Sequence, residues 1–583
     1  MEKPQRRHIP RSTSEPRPGE IARSKGRTLH SCRIGALPIL NRVLQRMRLE
    51  EFLRSYLPRA DRRCRIDPAL GITLLLKNVL LCREPLYGVG EWAARYAPDA
   101  LGLTDTQLPS LNDDRLGRCL DRLFQSDISS LVLTLVTHVV QEFQVDLDEL
   151  HNDSTTITFH GAYADAAEQQ QRGQRTRLAI TWGYNKDHRP DLKQLLFILT
   201  VARDGAVPMY FQIANGNVVD DQTHCATWDI LCRLTGRRDF LYVADCKLAT
   251  TGNMAYIHQR QGRFLTVLPK TRAEDRVFRD LLSQGRVQWR PLHDKRNDQG
   301  EIVDQYSVSE PATLSAEGYR LVWYHSTRKA DDDARARHQQ VERALSELAE
   351  LRQKLSSPRT RYRHQAKVAE AVQEILQARG VERWIITTIS EQTQEKYHQE
   401  HRGRPSAQTR YVKETRTRFQ LEYHIDTMRL AAETSGDGVF PLITNDSTLS
   451  ELELLLAYKG QPSLEKRFSH LKTDFEVAPV FLKEASRIQA LLCVYFLALL
   501  TESLLERELR RAMEREAIAS LPLYPEGRKC RRPTARRVID LFEDVQRHTL
   551  QVGRRPPVVF TTQLSRLQRR LLRLLGMAQA YDT

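Results

Sequence analysis

The sequence predicts a mixed α+β protein. It is expected to hold a mixed sheet flanked by helices and interrupted by an insertion, with an all-helical region before it and a helical region after it. Three observations carry this reading. Apolar residues recur at helical spacing from ALPILNRVLQRMRLEEFLRSYL (36–57) to LTLVTHVVQEF (133–143). From residue 145 to 271 the pattern changes to short, β-branched, alternating runs broken by turn residues. A charged stretch over 285–430 then separates these strands from a later one, DGVFPLITN (437–445). With 583 residues, the chain is too long for one hydrophobic core.

Taken in order, residues 1–30 are rich in Arg, Pro and Ser and poor in large apolar residues, which predicts a disordered basic tail. A helical domain is expected over 31–144, where Asp67 reads as an N-cap with Pro68 at the first helical position. The first part of the sheet domain is expected over 145–284. There LHNDSTTITF reads as a strand, LKQLLFILTVARDGAVPMYFQIANGN (192–217) as two strands joined across Arg203-Asp204-Gly205, and DFLYVADCKLAT and RFLTVLPKT as two more, with a helix at DDQTHCATWDILCRL (220–234). An inserted subdomain of strands and helices is expected over 285–430, with RHQQVERALSELAELRQKL (337–355) as half of a helical hairpin. The sheet domain resumes over 431–516, and a basic helical region closes the chain over 517–583.

The 89 Lys and Arg against 73 Asp and Glu leave a net charge of +16. Such a surplus attracts polyanions, nucleic acid first. The apolar run IQALLCVYFLALLTESLL (488–505) is interrupted by Gln, Thr, Glu and Ser and reads as a buried helix, not a membrane span. No secretory signal pattern opens the chain. The nine cysteines are scattered without a CxxC pair, which fits a reducing compartment and neither a disulfide framework nor a zinc site.

Three acidic residues stand out. Asp153 lies inside a strand-like run, Asp245 ends an apolar strand, and Glu465 follows Pro462 near a helix start. A carboxylate in or at the end of an apolar strand is costly unless it is paired, hydrogen-bonded or bound to metal. Two strand-borne Asp residues joined by a Glu from a later helix would offer hard oxygen donors of the kind Mg²⁺ takes. Two such ions about 4 Å apart serve phosphoryl transfer. Asp220 and Asp221 rival Asp245 as the second ligand. Glu465 read alone is a solvated, salt-bridged helix face. On a regular helix, Glu465 and Lys472 lie seven positions and roughly 20° apart, on one face.

These residues carry a family resemblance. The runs LHNDST, TWGYNKDHRPDLKQ (181–194), GNVVDDQTH (216–224), YVADCKLAT (242–250) and DGVFPLITN occur in the order seen in the DDE transposases of bacterial insertion sequences, and the chain resembles the branch with a Y-R-E-K signature. Tyr458, Gln461, Glu465 and Lys472 stand at the signature's spacing, with Gln in place of Arg. The likeness extends over most of the chain from about residue 36.

The resemblance implies an RNase H-like catalytic core. Asp153, Asp245 and Glu465 would be catalytic and would hold two Mg²⁺ ions, with Mn²⁺ as a substitute. Tyr458, Gln461 and Lys472 would stand near the DNA. Gln461 can bond a phosphate but brings no charge, and Lys459 or Lys466 would supply it. The resemblance further implies binding of terminal inverted repeats, hydrolysis at the element's end, transfer of the freed 3′-hydroxyl to target DNA, a homodimer on DNA, and a bacterial cytoplasmic, nucleoid-associated location. RGRPS (402–406) resembles an AT-hook core, which would set Arg402 and Arg404 in a minor groove; the same run also reads as a basic linker. Trp323 or Trp384 could stack an unpaired base, though both also read as core residues. Two rival classes stand beside this reading: a DNA-binding protein without catalysis, and a nuclease that cuts without joining.

Overall fold

The computed structural model describes residues 22–582 apart from 25–26, 60–63, 162, 164–165, 167, 173–174, 298, 312, 358, 476 and 478–481. Most of the expected 1–30 tail therefore lies outside the described residues. The chain divides into two compact units. Unit 1 combines the residues up to Leu265 with Leu456–Thr583, and unit 2 is Thr266–Leu455. The insertion thus begins about 20 residues earlier, and ends about 25 later, than composition suggests.

Unit 1 contains five strands of a mixed sheet. Its central strand is Glu149–Phe159. On one side this strand pairs antiparallel with Lys193–Ala202, which pairs antiparallel with Pro208–Asn215. The turn between those two strands falls at Arg203–Ala206, where Gly205 (φ +74°) and Ala206 (φ +51°) adopt left-handed backbone. On its other side the central strand pairs parallel with Leu241–Ala244, which pairs parallel with Arg263–Val267. Lys193–Ala202 is buried along its whole length. Its near-unbroken apolar run, QLLFILTVA, is what a strand covered on both faces requires.

The helices read at the start of the sequence are present as Leu37–Arg46, Leu49–Tyr56, Pro68–Leu81, Asp113–Gln125 and Ile128–Phe143. Asp67 caps the third, accepting from the Ala69 amide at 3.1 Å, and Asn112 caps the fourth. They do not form a separate domain. The 31-residue helix Ala485–Arg515 packs against three of them and against the strand Pro208–Asn215. By length and composition this helix could cross a membrane, contrary to the reading of its polar residues as interruptions, yet 94% of its apolar window is buried inside the protein. Thr501 and Ser503 cost little there, because each hydroxyl donates to a carbonyl of its own helix, Leu497 at 2.8 Å and Leu500 at 2.7 Å.

A second sheet of unit 1 was not legible in the sequence. Ala22–Ser24, Arg27–Arg33, Gln546–Val552 and Val558–Thr561 pair in that order. Residues 27–30, expected in the tail, therefore form a strand, and the expected helical C-terminal region contains two.

Unit 2 holds an antiparallel sheet in the order Arg290–Arg296, Ile302–Ser309, Arg320–Ser326, Val439–Thr444. Phe278, from the helix Ala273–Ser283, stacks on Trp323 with centroids 3.8 Å apart and planes 2° apart. Beyond the sheet, Thr327–Ser356 and Gln365–Arg379 form the expected helical hairpin. Its core includes Val341, Leu348, Val368 and Val372, closed by Phe419 and Leu421. The last two belong to a two-stranded ribbon, Ile385–Gln399 paired with Tyr411–Ile425.

Candidate active site

The parallel register places the two strand aspartates together. Asn152 pairs with Ala244, so Asp153 and Asp245 are the next residues on adjacent strands. Each carboxylate is partly buried. Burial, with further contributions from Asp245 and Asp220 that Lys186 only partly offsets, pushes Asp153 up to about 6. Burial also raises Asp245, with Asp220 adding to the effect. Two carboxylates crowded into one low-dielectric recess resist ionising together.

Lys186 answers that crowding. Its ammonium lies 3.0 Å from Asp220 Oδ2 and 3.5 Å from Asp153 Oδ1, and donates to the Ser154 carbonyl and hydroxyl at 2.7 Å each. Burial works against its charge, but Asp153, Asp220 and Asp245 outweigh burial and raise its pKa. Ser154 Oγ in turn donates to Asp220 Oδ1 at 2.7 Å. Asp220, the sequence-level rival, is therefore tied to Ser154 and Lys186, whereas Asp245 stands in register with Asp153. Asp221 has a buried Oδ1 with no hydrogen-bond partner among the described residues. Deeper still, His224 is held down near 4 by burial, and its Nδ1 meets the Tyr242 hydroxyl at 3.1 Å.

The signature residues follow on the second piece of unit 1. Tyr458 ends the helix Glu451–Tyr458, and Gln461 opens Gln461–Ser469, with Pro462 in its first turn. Pro462 thus separates Tyr458 from the helix carrying Glu465, as its φ constraint and missing N–H dictate. Gln461 is turned inward. Its Oε1 bonds His151 Nδ1 at 2.9 Å and its Nε2 donates to the Asn152 carbonyl at 3.4 Å. His151 is fully buried and bonds Glu149 through Nε2 at 2.8 Å. A side chain expected beside DNA instead docks its helix onto the central strand, one residue from Asp153. Gly460 makes that approach possible, since a Cβ there would lie 2.6 Å from the His151 ring.

Glu465 is exposed one turn further along. Burial first, then Glu465, Cys246 and Asp245, push the Tyr458 phenol up to about 12, so Tyr458 lies within the field of both acidic groups. Among the described residues, no three His, Cys, Asp or Glu side chains are grouped closely enough to hold one metal ion. The helix turns π-helical over His470–Asp474, with the Phe475 amide donating to the His470 carbonyl at 2.9 Å. The wider turn takes Lys472 off the regular stripe it would share with Glu465. Its ammonium pairs with Asp187 Oδ1 at 2.7 Å. The dipeptide Lys186-Asp187 thus serves both the aspartate strand and the far end of the Glu465 helix. Lys459 and Lys466 are exposed.

Beneath the same helix, Arg467 bonds the Ala206 and Gly205 carbonyls at 3.0 and 2.9 Å and pairs with Glu506 at 3.0 Å, both side chains nearly inaccessible. Neither this pair nor Lys186 and His151 was marked out by the sequence, whereas Asp220 was, as a rival to Asp245. Only the acid and basic density of KDHRPDLKQ hinted at Lys186.

Other candidates lie elsewhere. Arg402 and Arg404 belong to unit 2, in the loop joining the ribbon strands. Trp323 is 1% exposed and belongs to the core of unit 2. Trp384 packs partly buried against the helical-hairpin core. His188 and Asp191 lie at the surface, Asp191 paired with Arg189 at 2.7 Å.

Residues 29–137 match the model of a family described as a domain of unknown function, DUF4277. No curated protein matches the chain. Among solved structures, one similar chain is that of a piggyBac transposase synaptic complex with hairpin DNA. It is 9% identical, with a TM-score of 0.23 over 48% of this chain and 62% of that chain, less than two thirds of its length, and a likeness of that degree carries no structural argument.

Proposed function

We propose that this chain is a DNA transposase with an RNase H-like core that performs metal-dependent phosphoryl transfer. The observation that carries the reading is the register of the sheet: Asp153 and Asp245 end side by side on parallel strands, and the helix presenting Glu465 docks onto the same central strand through Gln461 and His151. The central position of the first strand, antiparallel to one neighbour and parallel to the other, supports it, as does the net charge of +16.

Asp153 and Asp245 suit a hard divalent cation, with no third such side chain grouped with them among the described residues. Two carboxylates, plus oxygens from a substrate phosphate, are the donor set Mg²⁺ usually takes, and their mutual repulsion leaves them short of positive charge. Asp153 and Asp245 would hold Mg²⁺ or Mn²⁺, with Glu465 as the third ligand of a two-ion site. The ions would supply activation of water or a 3′-hydroxyl and stabilisation of the leaving oxygen.

The chain's own groups do the rest. Lys186 keeps Asp220 and Ser154 fixed, so the part of the strand that carries Asp153 is rigid when DNA arrives. Tyr458, protonated at neutral pH, donates a hydrogen bond to a phosphate oxygen beside Asp245. Lys459, Lys466 and Lys472 contact the backbone of the transposon end, Lys472 exchanging Asp187 for phosphate. The N-terminal helices bind the terminal inverted repeats, and a homodimer brings two ends together before the 3′-hydroxyl is transferred to target DNA.

The test is Glu465→Gln on end-labelled duplex carrying the element's terminal repeat, with Mg²⁺. End binding is expected to persist while cleavage disappears; cleavage at the unmodified rate would remove Glu465 from the site. A strand-transfer assay on the pre-cut end then separates joining from cutting alone.

A further inference from the structure

The ribbon of unit 2 has no role in the site described above, and its construction needs an explanation. Its two strands run fifteen residues each, about 50 Å at the usual rise. Only the proximal part is packed, where Ile385, Phe419 and Leu421 close the helical-hairpin core. Beyond the pair Glu391↔Phe419, eight further pairs extend the ladder by about 27 Å. None of the described residues in those pairs is buried. A two-stranded ribbon without a packed face is marginal in water, so a long one implies a surface that covers it.

The charge on the distal ladder is segregated by face. Directly opposite residues in an antiparallel pair share a face. The face turned away from the helical core carries Gln392↔Arg418, Lys396↔Glu414 and His398↔Val412, two basic residues against one acidic. The opposite face carries only Lys413 and Glu395, and these two pair with each other. The connecting loop adds Arg402, Arg404 and Arg410 against Glu400. Over 391–418 the chain has seven Lys and Arg and four Glu.

We propose that the outward face of this ribbon is a docking surface for duplex DNA, seated in the major groove. That groove is about 12 Å wide and admits a two-stranded ribbon. Arg and Gln are the side chains that bond guanine and adenine edges there, and Lys396 and the loop arginines suit the flanking phosphates. Like charge on two copies opposes a ribbon-to-ribbon dimer, and the outward face offers no contiguous apolar patch. The partner class rests on the nucleic-acid reading above; the surface does not rest on the acidic residues of unit 1.

The test uses the full chain, a fluorescein-labelled 30-base-pair duplex of arbitrary sequence, and anisotropy measured between 50 and 300 mM KCl. The double variant Lys396→Ala/Arg418→Ala is expected to bind at least about fivefold more weakly at 100 mM salt, with the slope of log K against log salt reduced by about 0.9 through the lost Lys396 phosphate contact. Lys413→Ala, on the other face, is expected to bind within twofold of the parent. An unchanged slope in the double variant, or an equal loss with Lys413→Ala, overturns the proposal. So does a change in mass by light scattering without a change in DNA affinity, which would make the ribbon a contact between copies. The readout is separable from the catalytic one: Glu465→Gln tests cleavage with binding intact, and the double variant tests binding whatever the fate of cleavage.

Discussion

Replacing Asp153 with Asn should stabilise the metal-free protein, and only above mildly acidic pH. The carboxyl is raised from 3.8 to about 6, chiefly by burial and further by Asp245 and Asp220. A shift of about 2 units corresponds to roughly 3 kcal/mol. With the side chain a quarter exposed, screening reduces this to about 1–2 kcal/mol. The sign follows from the direction of the shift. A folded-state pKa above the unfolded value means that folding favours the protonated acid. The penalty is therefore absent below about pH 4, grows between pH 4 and 6, and is complete above 6.

Asn retains the acceptor that bonds the Ser154 amide at 2.7 Å, and Lys186 retains Asp220, so the substitution removes charge with little else. Scanning calorimetry in EDTA at pH 7.5 should show the transition of unit 1 rise by about 1–3 °C, for a unit of several hundred residues. At pH 4 the two proteins should melt together. A variant less stable than the parent at pH 7.5, or a gain equal at both pH values, would refute the account of Asp153 as a strained, undercompensated acid.

Arg467→Met should destabilise unit 1 by about 1–3 kcal/mol, because the buried Glu506 keeps only Arg510, at 3.2 Å, of its two counter-charges; urea melts check this, and Arg467→Lys, which keeps the charge, should recover part of the loss. Gly460→Ala should cost about 1–3 kcal/mol, because the added methyl meets the His151 ring; the same melts, with the His151 imidazole signals in NMR, would show the displaced contact. A Gly460→Ala protein as stable as the parent would mean that the helix is not pressed against the central strand.

Local signals were legible in the sequence where they act locally. Asp67 and Pro68 start a helix because capping and a fixed φ need no distant partner. Arg203-Asp204-Gly205 turns because Gly205 takes a positive φ. Asp153 and Asp245 stood out because carboxylates are rare in apolar strands. The remainder depended on pairings far apart in the chain. Arg27–Arg33 reads as a basic tail until Gln546–Val552 lies beside it. The ribbon's distal strands alternate polar with polar, so period-two patterning carries no signal there. Gln461 keeps the hydrogen-bonding spacing expected of a DNA contact, yet its partner is His151, 310 residues earlier. The π-helical turn at 470–474 leaves no mark in composition at all.

The discontinuity of unit 1 has a consequence for its birth on the ribosome. At roughly 5–20 residues per second, the stretch between Asp245 and Glu465 takes roughly 10–45 s to emerge. The aspartate strands can be assembled during that interval, before their helical partner exists. Lys186 lies in the early segment, so the nascent acidic recess has a counter-charge from the outset. The N-terminal helices have no such provision. Their apolar faces wait for Ala485–Arg515, the last large element of the core, which makes the half-made chain a client for holdase chaperones and makes truncation anywhere before Arg515 a route to aggregation.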